Sequence, residues 1–267
     1  MEGLATRIVL RIWAVLILLF LFIPILLIFF YAFNTSNIET WPIAGLTTKW
    51  FASTWNDENV RNALVVSLQA GLAATAIALV LGSCAAFAIH RARFFGREVV
   101  SLLFVLPLAL PGIITGISLN AFFSFNNISL SLATIVVGHT TFCIVVVYNN
   151  VLARLRRTQG SLIEAAMDLG ANGFQTFRDV TLPLISTAVV AGSMLAFALS
   201  FDEVIVTTFT AGAQSTLPIW IFGQIRHGVL LPEVNVVVSF VILVTIIPVA
   251  VAARLTGGGA GRVAGAR

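Results

Sequence analysis

Two adjacent carboxylates, Asp202 and Glu203, stand at the end of a long apolar stretch. A carboxylate at mid-membrane costs about 2.5–3.5 kcal/mol on insertion scales, so such a group usually faces a cavity or a partner. Acidic side chains along a pathway would attract a cation such as an organic ammonium. Solvation of the pair at the outer membrane surface explains the two residues equally well.

The position of this pair follows from helix geometry. Counted from Leu184, the carboxylates lie about 27–29 Å along a helix, near its outer end. Consecutive helical residues point about 100° apart, so Asp202 and Glu203 cannot share one bidentate task. We expect one of them to face the pathway and the other to cap or anchor the chain, and the sequence leaves open which.

Other polar side chains in apolar stretches have simpler interpretations. His139 would suit a proton relay or a hydrogen bond between helices, and we favour the hydrogen bond, as we do for Asn120. Cys84 and Cys143 also lie in apolar stretches and behave there as small hydrophobic residues. The sequence therefore predicts no catalytic residue, no disulfide and no metal site.

The composition defines the class of protein that positions these residues. Of the 267 residues, 59% are hydrophobic and 10% are charged, and the mean hydropathy is +1.02. Soluble domains carry about 25% charged residues, so these values exclude a soluble enzyme. The sequence pI is about 9.8, but the arginines flank apolar stretches. We therefore expect a lipid bilayer, and no nucleic acid, as the surroundings of this chain.

Six stretches reach the length of about 20 mostly apolar residues that a membrane span requires. The sequence predicts an all-α polytopic membrane protein with six transmembrane helices at residues 12–33, 64–90, 98–123, 130–152, 184–208 and 234–254. Together they form one domain over 1–256, followed by a flexible cytoplasmic tail at 257–267. Kinks, close helix contacts or a gate are expected in the third span at Pro107, Pro111, Gly112 and Gly116.

The distribution of basic residues predicts the orientation. Three of them, Lys49, Arg61 and Arg226, fall in the segments that are external if the N-terminus is cytoplasmic. The inner segments then hold twelve: Arg7, Arg11, Arg91, Arg93, Arg97, Arg154, Arg156, Arg157, Arg178, Arg254, Arg262 and Arg267. Because cytoplasmic loops are enriched in basic residues, both termini and the loop 153–183 are predicted to be cytoplasmic.

This cytoplasmic loop contains an ordered segment. Ser161 and Glu164 have the spacing of a capping box, which predicts a helix start, and Gly170 is placed to end that helix. Asn172 is expected to cap a second short helix, which Pro183 ends before the fifth span. A two-turn helix is marginal in water, so either the bilayer surface or the groove of a partner must hold it. The residue pattern leaves both possibilities open.

A nucleotide-binding P-loop is absent from the sequence. Such a loop needs a Gly-Lys-Ser/Thr run, and the only lysine, Lys49, follows threonine on the outer side. The chain is therefore not expected to be an ATPase of that class. Active transport would require an ATPase on another chain.

Several motifs resemble those of ABC importer permeases. Glu164-Ala165-Ala166, Gly170 and Leu182-Pro183 are similar to the EAA motif of that family. The resemblance extends to the spermidine/putrescine-type permeases, and within them to the second permease subunit. It is carried by Asn34-Thr35-Ser36, Leu106-Pro107-Leu108-Ala109-Leu110-Pro111-Gly112, Ser200-Phe201-Asp202-Glu203-Val204 and Thr216-Leu217-Pro218.

The resemblance implies a type I ABC importer permease fold in the bacterial cell membrane and polyamines as cargo. It implies three kinds of partner: an ATPase subunit dimer that binds ATP and Mg²⁺, a second permease subunit, and an extracytoplasmic substrate-binding protein. No cofactor is expected on this chain itself. An ATPase-coupling helix in a cleft of the ATPase subunit is expected to involve Ser161, Glu164, Ala165, Ala166, Gly170, Leu182 and Pro183. The substrate pathway is expected to include Asp202 and Glu203.

A stand-alone secondary transporter or channel for a small cationic solute is the alternative. It predicts symmetry between the two halves and ionisable groups at the membrane midplane. The sequence has no clear internal repeat, and its acidic pair lies off-centre. We therefore prefer the importer subunit.

Overall fold

The structure is a computed structural model that describes residues 4–92, 95–228 and 230–260, with side chains over 6–92, 95–228 and 230–246. Within these ranges the chain is helical apart from turns and one isolated bridge between Asn34 and Leu46. The predicted all-α class is confirmed for this part of the chain.

The helices follow one another with short connections, except for the longer segment 32–48 between the first two. In chain order they are α1 (Leu4–Tyr31), α2 (Lys49–Asn56), α3 (Glu58–Arg91), α4 (Arg97–Ala109), α5 (Gly112–Phe125), α6 (Leu132–Arg157), α7 (Gly160–Asp168), α8 (Gly173–Gln175), a π-helical turn (Thr176–Thr181), α9 (Leu182–Phe201), α10 (Ile205–Thr210), α11 (Leu217–His227) and α12 (Leu231–Ala260).

Four helical stretches among the described residues are long and apolar enough to cross a membrane. They are Thr6–Tyr31 of α1, the whole of α3, the whole of α6 and the continuous path Gly173–Phe201. The bent pair α4 and α5 provides a fifth if it is counted as one span, and α12 has a shorter apolar section at Leu231–Ile246. The number of six crossings and the orientation of the termini stay predictions.

The helices form two compact units. The terminal unit comprises Met1–Val60 and Ile221–Arg267, and the central unit comprises Arg61–Trp220. In the terminal unit α1 and α2 both pack against α12, which brings the two ends of the chain together, and the single domain expected over 1–256 stays a prediction. The last helix continues to Ala260, into the expected tail, and residues 261–267 lie outside the described part of the chain.

Hydrogen bonds to Asn34 organise the terminal unit after α1. The Asn34 side-chain oxygen accepts the amide of Ala44 at 3.3 Å, and its carbonyl oxygen accepts the indole N–H of Trp50 at 2.7 Å. On α12 the buried Glu233 carboxylate accepts a hydrogen bond from the Ser53 hydroxyl of α2. Each of these buried polar groups therefore has a partner within the unit.

Small residues allow α3 and α6 to touch in the central unit. A Cβ atom added to Gly82 would lie 2.9 Å from the carbonyl oxygen of Ile144 and 3.1 Å from the amide nitrogen of Tyr148. Ala78 and Ala86, each one helical turn away, are fully buried in the same cluster. Close backbone contact of this kind is typical of helices that pack in membranes.

The kink predicted in the third span is a complete break. Leu110 is extended because a residue before proline disfavours the helical conformation, and Pro111 then starts α5 after a bend of 100°. Two contacts attach α4 to α6. The hydroxyls of Ser101 and Tyr148 hydrogen-bond at 2.7 Å, and the rings of Phe104 and Tyr148 stack with centroids 5.1 Å apart.

The fifth predicted span has different bounds in the structure. The helical path begins at Gly173 and ends at Phe201, so the predicted range 184–208 was wrong at both ends. The path ends before the predicted residue 208, where the side-chain carboxylate of Glu203 accepts a hydrogen bond from the backbone amide of Val206 at 2.9 Å. That bond starts the separate helix α10.

Candidate functional site

The start of α7 differs from the prediction. Gln159 is the N-cap residue in an extended conformation, and the first helical hydrogen bond joins the Leu162 amide to its carbonyl oxygen at 3.3 Å. Ser161 therefore lies inside the first turn. A capping box requires the serine at the N-cap itself, so the capping box predicted for Ser161 and Glu164 was wrong.

The end of α7 is formed by a glycine in the left-handed conformation. Gly170 has φ +88°, and its amide bonds the carbonyl oxygen of Met167 at 2.9 Å. The amide of Ala171 bonds the carbonyl oxygen of Ala166 at 3.1 Å, which completes a Schellman motif. A Cβ on Gly170 would meet nothing within 4 Å, so backbone conformation and not space requires glycine here. The predicted helix end at Gly170 is confirmed.

A second cap follows directly. The side-chain oxygen of Asn172 accepts the amide of Gln175, and the side-chain oxygen of Gln175 accepts the amide of Asn172, both at 2.9 Å. The predicted cap at Asn172 is thus confirmed. The prediction that Pro183 ends this second short helix was wrong. Pro183 lies in the first turn of α9, where a proline fits, and the π-helical turn before it interrupts the α-helical bonding.

The outer side of α7 is exposed. Leu169 is 89% exposed and Leu162 is 46% exposed, and Glu164 and Ala165 are exposed between them. Ala166 is half-buried. The helix therefore presents apolar side chains and a carboxylate that no other described part of the chain covers.

The inner side of α7 faces the ends of other helices. Ile163 and Met167 line a groove together with Phe87 of α3, Leu155 of α6 and Phe177 of the π-helical turn. The rings of Phe87 and Phe177 meet edge to face with centroids 5.6 Å apart. The groove therefore places α7 against the π-helical turn and beside the ends of α3 and α6.

A hydrogen bond links α6 and α9 beside this groove. Nε of Arg154 donates to the carbonyl oxygen of Leu184 at 2.8 Å. Leu182 and Pro183, two of the residues expected in the coupling segment, are exposed in the same first turn of α9. The structure places the seven expected coupling residues in two groups, on α7 with its cap and at the start of α9.

The two adjacent carboxylates have different surroundings. Asp202 is exposed at the C-cap of α9, and its side chain makes no hydrogen bond within the described residues. Glu203 is half-buried, and its side chain caps α10 through the bond to Val206. The sequence left open which of the two carboxylates caps the chain, and in the structure Glu203 makes the capping bond.

His139 of α6 connects both sides of the break between α9 and α10. It is 1% exposed, with Nδ1 2.7 Å from the hydroxyl of Ser200 and Nε2 2.7 Å from the hydroxyl of Thr207. The Thr207 hydroxyl donates to the carbonyl oxygen of Glu203 at 2.7 Å, so its oxygen accepts a hydrogen bond from the Nε2–H group of His139. Nδ1 then accepts from Ser200, and every member of the network is satisfied. The predicted hydrogen-bonding role of His139 is confirmed.

Further side chains hold α10 between α5 and α6. Nδ2 of Asn120 donates to the carbonyl oxygen of Phe209 at 2.7 Å, as expected for a bond between helices. The Thr134 hydroxyl lies 2.7 Å from the carbonyl oxygen of Thr210. A Cβ on Gly116 would approach the Phe209 ring to 2.6 Å, so a glycine is needed at this contact.

The four residues expected at kinks or a gate occupy three positions. Pro107 lies within α4, Pro111 and Gly112 form the break before α5, and Gly116 lies under Phe209. The described residues contain no group of three His, Cys, Asp or Glu side chains placed to hold a metal ion. The site is therefore built to position helices.

Sequence reasoning missed three features of this region. They are the π-helical turn, the bond from Arg154 to Leu184, and the hydroxyl partners of His139. Ser200 and Thr207 are seven residues apart, which is two helical turns, but they were assigned to one unbroken span. The capping glutamate that divides this span was the signal available in the sequence.

Comparison with known proteins identifies the class. A family model described as binding-protein-dependent transport system inner membrane component matches residues 78–257. The chain belongs to this family of membrane transport components, and the resemblance to ABC importer permeases is confirmed.

Individual relatives are similar over most of the chain. The putrescine transport system permease protein PotI of Escherichia coli (strain K12) is 35% identical over 243 residues, which cover 86% of this chain and 85% of that protein. The spermidine/putrescine transport system permease protein PotC of the same strain is 35% identical over 233 residues, covering 86% and 87%. The PotC protein of Haemophilus influenzae is 31% identical over 239 residues, covering 89% and 92%.

A solved structure has the same fold. It is the crystal structure of a bacterial ABC transporter involved in the import of the acidic polysaccharide alginate, with a TM-score of 0.67. The match covers 94% of this chain and 98% of that chain at 16% identity, so it supports the fold alone.

The network at the helix break predicts coupled stabilities. His139→Leu and Thr207→Val should each lower the free energy of unfolding, with an interaction energy of about 0.6–1.7 kcal/mol in a double-mutant cycle, because each removes the partner of the other. Denaturant titration in mixed micelles measures this. In the control cycle Thr208→Val replaces Thr207→Val, since the exposed Thr208 hydroxyl bonds only Val204 of its own helix. Equal interaction energies in both cycles would contradict the bridging role.

Proposed function

We propose that this chain is a multi-pass permease subunit of an ATP-driven, binding-protein-dependent importer of polyamines in a bacterial cell membrane. The observation that carries this proposal is α7, a capped and exposed helix that packs against the π-helical turn and lines a groove with the ends of α3 and α6. Membership in the family of inner membrane transport components supports it.

The exposed side of α7 is proposed as the surface that docks into an ATPase subunit. Leu162, Ala165 and Leu169 would enter a groove of that subunit, and Glu164 would pair with a basic group there. Small alanine side chains allow a partner to approach closely. The Schellman motif at Gly170 fixes the direction in which the chain leaves the docked helix.

Motion of the ATPase subunit would reach the membrane through the inner contacts of α7. α7 packs against the π-helical turn, which the Phe87–Phe177 contact joins to α3, and the Arg154–Leu184 hydrogen bond joins α6 to α9. The path Gly173–Phe201 then continues to the break at Asp202. ATP-driven closure of the ATPase dimer would thus rock the helices of the central unit and alternate access to a cavity.

The partners follow from what the chain lacks and from its family. An ATPase dimer would bind ATP and Mg²⁺, since the sequence has no P-loop of its own. A binding protein would deliver the cargo, in keeping with the name of the family. A second, related permease subunit would complete the pathway, because the motifs of this chain resemble those of the second permease subunit of spermidine/putrescine-type importers.

Polyamines are proposed as cargo because the relatives are named for spermidine and putrescine transport. Alkyl amines of this kind carry positive charge at neutral pH. Asp202 is exposed and has no side-chain partner in the described structure, so its carboxylate is available to an ammonium group. Glu203 is engaged in capping α10.

Gly170→Ala should uncouple transport with little loss of fold. Alanine in the left-handed conformation costs about 1–2 kcal/mol, so the end of α7 should lose its geometry. Gly160→Ala is the matched control, because a Cβ at Gly160 also meets open space but φ there is not positive. ATP-dependent uptake into proteoliposomes of the complete importer should fall for Gly170→Ala and be retained for Gly160→Ala. Full uptake by Gly170→Ala would contradict the docking role.

The two carboxylates should differ in transport kinetics. Asp202→Asn should raise the KM for spermidine severalfold, because it removes the ion pair between Asp202 and an ammonium group. An exposed ion pair contributes about 0.2–1 kcal/mol to binding, and a pair in a closed cavity contributes more. Glu203→Gln keeps a side-chain oxygen that can accept the Val206 amide, so its KM should change less. Uptake of labelled spermidine measures both. A larger effect of Glu203→Gln would reverse the assignment, and no effect of either would remove the pair from the pathway.

A further inference from the structure

Basic side chains converge at the ends of three helices of the central unit. His90 and Arg91 end α3, Arg97 begins α4, and Arg156 lies in the last turn of α6. His90 and Arg91 line one groove with Leu155, the residue next to Arg156, and Arg97 follows Arg91 by six residues at the start of α4. These four residues form one group, the basic cluster, at neighbouring helix ends.

Within the described residues no carboxylate lies within salt-bridge distance of the arginines of the basic cluster, and Glu98, next to Arg97, is exposed. The salt bridge that the structure contains there joins Arg178 and Asp179, outside the cluster. Like charges held close together repel one another, so an anion bound between them would lower the energy of the cluster. Arginine, with its planar fork of donors, binds a phosphate in bidentate fashion, and all three permanent charges of the cluster are arginines.

Apolar surface adjoins the basic cluster. Phe95 is fully exposed in the turn between α3 and α4. On α4, Arg97 is followed by the exposed carboxylate of Glu98 and then by exposed apolar side chains over two turns: Val99, Leu102, Leu103 and Leu106. A ligand that covers both surfaces must carry an anionic group next to a long hydrocarbon, which excludes inorganic phosphate as the complete ligand.

We propose that the basic cluster binds the phosphate headgroup of an anionic phospholipid, with the acyl chains along Phe95 and the apolar side of α4. In the predicted orientation the cluster lies at the cytoplasmic leaflet, whose anionic lipids attract basic segments. The cluster also borders the groove under α7, because His90 and Arg91 line that groove together with Ile163 and Met167. A bound lipid therefore stands next to the inner side of α7.

Lipid titration of the full-length chain in mild detergent, followed by native mass spectrometry, tests this proposal. The probes are phosphatidylglycerol and phosphatidylcholine with identical acyl chains. The triple variant Arg91→Gln/Arg97→Gln/Arg156→Gln should weaken phosphatidylglycerol binding by roughly fivefold per arginine, about a hundredfold in all, and leave phosphatidylcholine unchanged. The control Arg7→Gln/Arg11→Gln/Arg226→Gln removes the same charge elsewhere and should change binding less than about twofold.

A second variant guards against misfolding of the first. Phe95→Ser removes an exposed side chain, and it should weaken phosphatidylglycerol binding severalfold although every arginine is retained. Equal losses in the cluster and control variants would overturn the proposal in favour of unspecific attraction. Full displacement of the lipid by millimolar inorganic phosphate would overturn it in favour of a free phosphate site. Displacement of the lipid by the ATPase subunit would overturn it in favour of a binding site for that protein.

The measurement requires no ATP, cargo or transport. A negative result would leave the importer proposal unaffected, and a failure of that proposal would leave the lipid site standing.

Discussion

The interruption of helices within apolar surroundings is the constraint on which this structure depends. Backbone groups that leave a helix in a membrane find no water and must be satisfied by the protein itself. At the break between α9 and α10 the side chain of Glu203 accepts the amide of Val206, and the Asn120 and Thr134 side chains bond carbonyl groups at the end of α10. His139 joins the two sides. The short helix α10 is therefore a fixed part of the central unit, and the exposed Asp202 stands at its edge.

The same unit connects this break to α7 through one continuous helical path. Gly173–Phe201 spans about 40 Å at the rise of an α-helix. One end begins at the Asn172 cap beside α7, and the other ends at Asp202. The π-helical turn near the first end is a place where helical bonding changes, of the kind often found at functional positions. In the proposed importer this path carries the motion of an ATPase subunit towards the cargo.

Composition and motifs predicted the class of this protein well, whereas local geometry was harder to predict. Features that depend on one residue type with a strong structural preference were predicted correctly. They are the apolar stretches, the helix end at Gly170, the cap at Asn172 and the hydrogen bonds of His139 and Asn120. The breaks before Pro111 and after Phe201 were harder, because a broken span has the same composition as an intact one. The helix start at Gly160 was missed because the Ser161–Glu164 spacing fits a capping box with Ser161 as the N-cap, two residues after the true N-cap Gln159. The different surroundings of Asp202 and Glu203 depend on the hydrogen bond from Val206 to Glu203, which no spacing in the sequence reveals.

Hydrogen–deuterium exchange of this chain with and without the proposed ATPase subunit tests whether α7 docks into that subunit. An isolated two-turn helix exchanges readily because it is marginal in water, and a docked helix is protected. We expect amides 160–171 to exchange at least about tenfold more slowly when the ATPase subunit is bound, while those of α10 remain unchanged. Unchanged exchange across 160–171 in a complex that hydrolyses ATP would contradict the assignment of α7 as the docking helix.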